Sequence, residues 1–593
     1  MSNRTFIHVC ALLVVVFMTA IAHYAISYSA LIRGYETSSL VAYRNVGLIL
    51  ILALLPIILR KLFSYRGSWI PYTACVILFS IGLTAQYRLF SDREYVADID
   101  PAVRSKIENS TMTDREKSRA LLDAKFAAIA QERAAKIRTA QMHFVTENYS
   151  AEKKQMVGLP PSDPHPVDLS QETPRPVKES RSGTLFSSNT WIPLFAIVAF
   201  VGVFVLVRRD DVQKLLQGNG VVIVLLTLVP LFFAALTSQA GKFLGNMTPW
   251  EPAKVPFLIG FAAILAVLYR DLARTYWGLP RAKDVLPLVF MAVVPFLPFF
   301  VLKDFGQMMV FSAVYATLYL IAVRRFSQRF VLVGTVLLAV SILVVGALPP
   351  STQAKVPLLP TLASPVRTIL PHRIQQRFHL WLDGFDPPSP DTVWWKDDYD
   401  RYYADLVKND PKLPGMIEDD PALQRSINTD AWFDMLAFQP AQATFGIASG
   451  GVTGRGFGLG YPELIPVSDS DYIYAAIGEE LGLSGGLLIT FALILFVTAG
   501  VQIARDSRDM FSKLCSIGLA AFIGFQALVN IGGITRALPM TGITLPFVSH
   551  GGFSLVTSFV MLGMLLAFSH RNAMDRLRDT VVPEPDNAHT AAA

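Results

Sequence analysis

Ser470–Gly482 reads SDYIYAAIGEELG. It opens a run that stays apolar to about residue 504, yet it carries three carboxylates, Asp471, Glu479 and Glu480. Ionisable groups at the edge of a membrane helix, or inside one, are costly, so they mark a functional-site candidate by default. The stretch follows a Gly-rich segment, Gly446–Gly460, and precedes two more apolar spans. The rest of the chain agrees with a membrane reading. Of 593 residues, 52% are hydrophobic and only 17% charged, where a soluble chain has about 25% charged. The expected class is an all-α polytopic membrane protein.

Twelve apolar spans are predicted, at about 5–26, 39–60, 69–90, 189–207, 219–239, 253–269, 284–302, 306–323, 329–348, 472–504, 512–534 and 546–569. Each approaches the ~20 residues that cross a bilayer. The run at 472–504 is too long for one straight crossing, so it starts outside the membrane or tilts. The first run has the look of a signal peptide but reads better as an uncleaved helix, because the topology needs it. The expected organisation is two N-terminal helices (1–68), a helix at 69–90, an insertion at 91–188, helices over 189–348, a large loop at 349–470, three helices at 471–570 and a tail at 571–593.

Charge sets the orientation. Arg60, Lys61 and Arg66 share one short loop; Arg208, Arg209 and Lys214 share another. Arg270, Arg274, Arg281 and Lys283, then Arg324, Arg325 and Arg329, then Arg505, Arg508 and Lys513 follow, with Arg571, Arg576 and Arg578 after the last span. All lie on one face in a twelve-span count. Opposite them stand Arg33, Lys242, Lys303 and Arg536. The positive-inside rule therefore makes both termini cytoplasmic and the long loops extracytoplasmic. The net charge of +6 sits in short loops, which argues against nucleic-acid binding. Cys10, Cys75 and Cys515 have neither disulfide nor metal spacing.

In the first long loop, Leu122, Phe126, Ile129 and Ile137 recur at helical spacing, which predicts an amphipathic helix over about 113–146. It is either a packing or partner surface or a solvated spacer. Pro160–Pro176 reads as an extended linker. In the second, 388–430 is polar and rich in Trp, Tyr and Asp (VWWKDDYDRYY) and looks like an insertion. A loop this long is usually functional.

Asp471 has two readings, a catalytic carboxylate or a helix N-cap, and Asp469 or Ser470 would cap equally well. For Glu479 and Glu480 a structural role, pairing with a buried base or a backbone group, is the better reading. Glu251 and Lys254 share a helix face at i, i+3, either as a surface pair or as an intramembrane pair beside a cavity. Asp304 lies in the turn KDFG, which no kinase motif accompanies. The Gly-rich segment lacks the ending of a phosphate-cradling loop, but permits close backbone approach to a ligand, with Arg455 as a cation. In Gly542–Gly552 (GITLPFVSHGG), Pro546, Ser549, Gly551 and Gly552 suggest a broken helix entry lining a cavity.

Together these motifs resemble the SEDS family (shape, elongation, division and sporulation), the RodA/FtsW/SpoVE type of membrane glycosyltransferase, over about 70–90 and 189–570. TLPFVSHGGFS is similar to the family's PLPFVSYGGSS, with His550 for Tyr and Phe553 for Ser. DYIYAAIGEELGL is similar to DFIFAVIGEELGL and places Asp471 on the family's catalytic aspartate. PWEPAK resembles PSE-x-x-K, keeping Glu251 and Lys254 but with Trp250 for Ser. KDFGQ resembles QPDLGT, keeping Asp304 and Gly306. RFHLWLDGFDP matches at Arg377, and QATFGIASGGVTGRGFGLG at Gln442, Ser449, Gly450 and Arg455. Asn530, Gly532 and Pro539 also match. The family has ten spans, so two helices are extra at the N-terminus.

The resemblance implies a peptidoglycan glycosyltransferase that polymerises lipid II at the outer face of the bacterial cytoplasmic membrane, for cell shape or division. Asp471 would be catalytic. The implied substrate-binding residues are Glu251, Lys254, Asp304, Arg377, Gln442, Ser449, Arg455, Glu479, Pro546, Ser549, Gly551 and Gly552. No metal site is expected for certain, although a divalent cation (Mg or Mn) near Asp471 remains open. A class B penicillin-binding protein transpeptidase and other elongasome or divisome membrane proteins are the implied partners. The rival readings are a lipid II flippase or other transporter, and a non-catalytic scaffold that activates its transpeptidase.

Overall fold

In the computed structural model, the described residues are 3–32, 37–90, 101–110, 188–236, 250–272, 304–323, 370–409 and 411–581, with a few scattered positions between. They are almost wholly helical. Besides the connecting loops there is a strand pair, Thr275–Tyr276 with Leu279–Pro280. The expected spans at 284–302 and 329–348, the amphipathic helix at 113–146 and the Pro-rich linker lie largely or wholly outside the described residues.

The helices are α1 (Asn3–Ile32), α2 (Ser39–Phe63), α3 (Ile70–Phe90), α4 (Pro101–Glu108), α5 (Ser188–Val207), α6 (Asp210–Gly218), α7 (Gly220–Leu236), α8 (Trp250–Leu272) and α9 (Phe305–Ala322). Then come α10 (His372–Leu382), α11 (Val393–Asn409), α12 (Leu413–Asp419), α13 (Pro421–Trp432), α14 (Phe438–Gly450), α15 (Ile473–Asp506), α16 (Met510–Ile534) and α17 (Gly552–Val581). Among the described residues, eight helices are long and apolar enough to span a membrane: α1, α2, α3, α5, α8, α15, α16 and α17. The pair α6–α7, bent by 72°, makes up to nine, and α9 is a shorter apolar helix. Ten of the twelve expected spans therefore coincide with a described helix. The chain is a multi-pass membrane protein.

Around the central helix α15 pack α16, α3 and α14; α17 lies along α5, and α8 bridges α7 and α16. The two N-terminal helices are joined to this core by polar side chains. His8 meets Thr73 at 2.9 Å, Thr19 meets Ser80 at 2.6 Å, Ser27 meets Tyr87 at 2.8 Å, and Asn45 donates to the carbonyl of Leu83 at 3.4 Å. In hydrocarbon such contacts contribute about 0.6 kcal/mol each. They fix rotation and depth more than they hold the helices.

Two expected spans differ in detail. The long run is a 34-residue helix broken at Gly482 (φ 63°, ψ −158°), which leaves a short N-terminal piece and a membrane-length C-terminal one. The last span begins at Gly552, because Gly542 and Phe547 hold φ of +74° and +64° and the segment between them stays non-helical. The polar-looking 388–430 folds as α11–α13. Trp394, Trp395 and Tyr399 turn inward from the VWWKDDYDRYY helix and meet Ile427, Trp432 and Phe445 in a core separate from that of the membrane helices. Trp395 and Trp432 pack edge to face at 5.3 Å.

Candidate functional site

Helix α15 starts at Ile473 with Tyr472 as N-cap and no side-chain cap bond. The capping alternative for Asp471 is therefore not what the helix uses. The backbone before it turns sharply: Val467 has φ +55°, and the amides of Ser470 and Tyr472 both return to its carbonyl. A β-branched residue in the left-handed region is a genuine outlier and is held there only where the surroundings over-determine it.

Three elements converge on this turn. Helix α10 brings Arg377, whose Nη1 donates to the carbonyl of Thr541 at 2.8 Å. The α16–α17 connection brings Gly542, where a Cβ would stand 3.5 Å from Asp471 Oδ2 and 3.9 Å from Arg377 Nη2. Helix α16 brings Asn530, whose Nδ2 donates to the carbonyls of Asp471 (2.9 Å) and Ile543 (2.5 Å). Ser549 Oγ donates to the Ser470 carbonyl at 2.6 Å and accepts the Leu545 amide at 2.8 Å. The His550 amide donates to the Asp469 carbonyl at 2.8 Å. The aspartate is thus gripped by its backbone while its carboxylate faces Arg377 across a residue with no side chain.

Asp304 caps α9, accepting the Gln307 amide at 3.1 Å. It sits close enough for Arg377, Lys254 and Glu251 to act on its charge. One layer deeper, Lys254 Nζ donates to Glu251 Oε1 (2.8 Å) and Gln526 Oε1 (2.9 Å). Both members of the ion pair are buried, which settles their location as internal rather than surface. Gln526 Nε2 donates in turn to the Thr544 carbonyl at 3.0 Å. Gln526 and Asn530, four residues apart on one face of α16, together hold the 541–545 segment.

Electrostatics follow from burial. Asp471 is pushed above the ordinary carboxylate range by burial and by Asp469, while a bond from Ser470 and the charge of Arg377 pull it back. Asp304 is raised by burial too. Burial lowers Arg377, against the raising effect of Asp304 and Asp471. Burial also keeps His550 below its usual value, with Asp469 opposing. Four buried oxygens along this polar layer, Glu251 Oε2, Gln307 Oε1, Asn530 Oδ1 and Thr541 Oγ1, have no hydrogen-bond partner among the described residues. Buried polar atoms are normally paired, so this layer offers acceptors to hydroxyl or amide donors. No group of three or more potential metal ligands gathers among the described residues.

Of the residues singled out in the sequence, Asp471, Asp304, Arg377, Glu251, Lys254 and Ser549 come together here, with Pro546, Gly551 and Gly552 in the connection behind them. A second set lies along α14 and around the α15 break. The amides of Arg455 and Gly456 donate to the carbonyls of Glu479 (3.1 Å) and Glu480 (2.9 Å), and the Tyr461 amide donates to Glu479 Oε1 at 2.7 Å. Ser449 Oγ bonds within its own helix, to the Gly446 carbonyl. Gln442 lies half-buried two turns earlier on α14. Glu480 is paired with Arg88 at 2.9 Å. Participants not singled out in the sequence include Gln526, Arg88 and Gly542. Gln526 and Arg88 carry a readable signal, a polar side chain in an apolar span. Gly542 carries none.

A bundle of apolar helices with a strained carboxylate turn and an opposing guanidinium at one mouth defines a polytopic membrane protein with a polar site at the helix ends. Residues 428–574 match the family model FTSW_RODA_SPOVE, described as cell cycle protein. Peptidoglycan glycosyltransferase RodA of Mycobacterium bovis is 28% identical over 359 residues, covering 59% of this chain and 62% of that protein. The chain thus spans about three fifths of the length of these mycobacterial relatives. The probable peptidoglycan glycosyltransferase FtsW of Synechocystis is 41% identical over 131 residues, 22% of this chain and 33% of that protein. Among solved structures, a peptidoglycan synthase complex aligns at 20% identity over 66% of this chain and 91% of that one, with a TM-score of 0.42. Thermus thermophilus RodA aligns at 16% identity over 63% and 95%, with a TM-score of 0.31. Residues 428–574 thus carry the signature of the family of FtsW, RodA and SpoVE.

Proposed function

We propose that the protein is a peptidoglycan glycosyltransferase that extends glycan strands from lipid II at the outer face of the bacterial cytoplasmic membrane, serving cell shape or division. The observation that carries this is the Asp471 turn: a carboxylate at the mouth of an apolar helix, unused as a cap, raised by burial and opposed by Arg377. The names of the relatives support the reaction, and the charge bias of the short loops supports the orientation, with both termini cytoplasmic.

In this reading Asp471 accepts the proton of the GlcNAc 4-hydroxyl of the incoming lipid II. The hydroxyl oxygen forms a bond to the anomeric carbon of the growing strand, the bond from that carbon to pyrophosphate breaks, and undecaprenyl pyrophosphate leaves with inversion. A raised carboxylate suits the proton transfer. Arg377 is placed to meet pyrophosphate charge, and the deeper Lys254 adds to the positive field. The acceptor oxygens of Gln307, Asn530 and Thr541 suit sugar hydroxyls and amides. Gln442, Ser449, Arg455 and Glu479 support the site from the α14 and Gly482 side. Among the described residues no three potential ligands gather, so a divalent cation held by Asp471 and Asp304 would take its other ligands from pyrophosphate and water, as Mg²⁺ commonly does, and would neutralise leaving-group charge. Crosslinking falls to a class B transpeptidase partner within an elongation or division assembly.

The test is lipid II polymerisation by the purified full-length protein, alone and with its transpeptidase, beside Asp471→Ala. Strands from the wild type and none from the variant are expected. Strands from neither, with both folded and the partner present, would shift the reading to a flippase or a non-catalytic scaffold.

A further inference from the structure

Arg536 stands in the left-handed region, at φ +59°, in the turn that ends α16. Its amide returns to the Gly533 carbonyl at 3.3 Å, and the Leu538 amide to that of Gly532 at 2.9 Å. Such a position favours Gly, so the turn itself gives no reason for a long side chain. The side chain is nevertheless half-buried against α10. Its Nη2 donates to the Leu380 carbonyl at 3.4 Å, one of the last carbonyls of α10, where a helix end favours a cation. The guanidinium carbon lies 5.1 Å from the centre of the Phe385 ring. Gly384, at φ +71°, permits this approach, since a Cβ there would stand 3.0 Å from Nη2. In return Trp381 Nε1 of α10 donates to the Arg536 carbonyl at 2.9 Å.

Trp381 and Arg377 are four residues apart, on one face of α10. Each donates to a carbonyl of the α16–α17 connection, Trp381 to Arg536 and Arg377 to Thr541. Away from that face, His379 packs on Trp394 and Trp432, with ring centres 5.4 and 5.2 Å apart. Phe385 belongs to the same aromatic core. Helix α10 is therefore held between the α11–α13 core and the α16–α17 connection. We infer that Arg536 is a positioning residue: it clasps the C-terminal turn of α10 to the connection and so sets the place from which Arg377 faces Asp471. Its effect on rate rests on the glycosyl transfer proposed above, whereas the clasp is a property of the fold. Among the described residues no carboxylate acts on the Arg536 charge, so its removal strands no buried anion.

The test is Arg536→Gly in the full-length protein, because Gly suits the backbone and removes only the side chain. Hydrogen exchange over 372–382 is expected to quicken, with exchange in α15 and α16 unchanged. Lipid II polymerisation is expected to fall by up to about 100-fold, the scale of a misplacement of about 1 Å. Its acid limb should move to higher pH, because Arg377 pulls the Asp471 pKa down and is no longer held in place. Added to Arg377→Gln, the same change should move the limb no further. Wild-type exchange over 372–382 overturns the clasp. An unmoved limb, whatever the rate, or a limb that moves again in the double variant, makes Arg536 structural only and overturns the positioning role. Trp381→Phe keeps the ring and removes one bond, and it decides the matter if Arg536→Gly unfolds. It should shift exchange and limb in the same directions by less, and no shift in either overturns the inference. If Asp471→Ala polymerises at the wild-type rate, the reaction assignment falls, and exchange still decides the clasp.

Discussion

The turn at Asp471 and the break at Gly482 lie on the same helix, and they treat their carboxylates in opposite ways. At Gly482 the interrupted helix is fully re-satisfied. The Glu479 and Glu480 carbonyls accept the Arg455 and Gly456 amides, while the Leu483 and Ser484 amides return to the Gly451 and Val452 carbonyls at 2.9 and 3.3 Å. The two strands approach so closely that a Cβ at Gly454 would stand 2.1 Å from the Glu480 carbonyl oxygen. The side chains are committed as well, Glu480 to Arg88 and Glu479 to the Tyr461 amide. At Asp471 the main chain is gripped from several elements, while the carboxylate takes only a local bond from Ser470. Its carboxylate faces a cation, over a layer in which four buried oxygens have no hydrogen-bond partner among the described residues. A carboxylate whose bonds are already made braces the fold. One that is gripped by its main chain, with a side chain that takes only a neighbouring serine's bond and faces a cation, is placed for chemistry.

The sharpest way to break that contrast is to exchange the outcomes. Asp471→Ala is expected to lower lipid II polymerisation by about 10²–10⁴-fold, the usual contribution of a positioned acid or base, with no fall in melting temperature. Glycan synthesis at wild-type rate would end the assignment. Arg88→Leu is expected to do the reverse. Stranding Glu480 should destabilise the protein by about 3–5 kcal/mol, and the double change Arg88→Leu/Glu480→Leu should recover much of that loss, as read by thermal unfolding in detergent. Additive losses would show that the pair does not act as a unit. Gly454→Ala, with φ +81° and no room for a Cβ, is expected to cost about 1–3 kcal/mol. A neutral effect would mean that the loop does not brace the break.

The smallest effect is the pH dependence. Burial favours the neutral form of Asp471, so its folded pKa lies above its unfolded one. The stabilising contribution is present below the unfolded pKa and lost as pH rises through the folded one. The ionised working form is held at a cost in stability, and Asp471→Asn should therefore melt slightly higher than wild type near neutral pH. The acid limb of polymerisation should lie above the ordinary carboxylate range. Asp469→Asn should move it down and Arg377→Gln up, since those charges act in opposite directions on Asp471. A limb that neither variant moves would separate the rate from this carboxylate.

Much of this was legible in the chain. Runs of about twenty apolar residues fix helices, because a bilayer leaves no other partner for backbone polar groups. Asp471, Arg377 and Lys254 stood in motifs quoted directly from the sequence. The helical fold of 388–430 was not legible: its aromatic positions sit among Asp and Lys, and only packing against Trp432 shows which face turns inward. The pairing of Arg88 with Glu480, 392 positions apart, was equally out of reach, as was the layer Gln526 and Asn530 make with the 541–545 segment.

The sequence by itself determined that this is a helical membrane protein, and it named the carboxylate at the head of the long span, because hydropathy and charge act locally along the chain. The tertiary structure decided which carboxylates are spent and which is not. Hydrogen-bond saturation depends on partners hundreds of residues away, brought into reach only when the helices have packed.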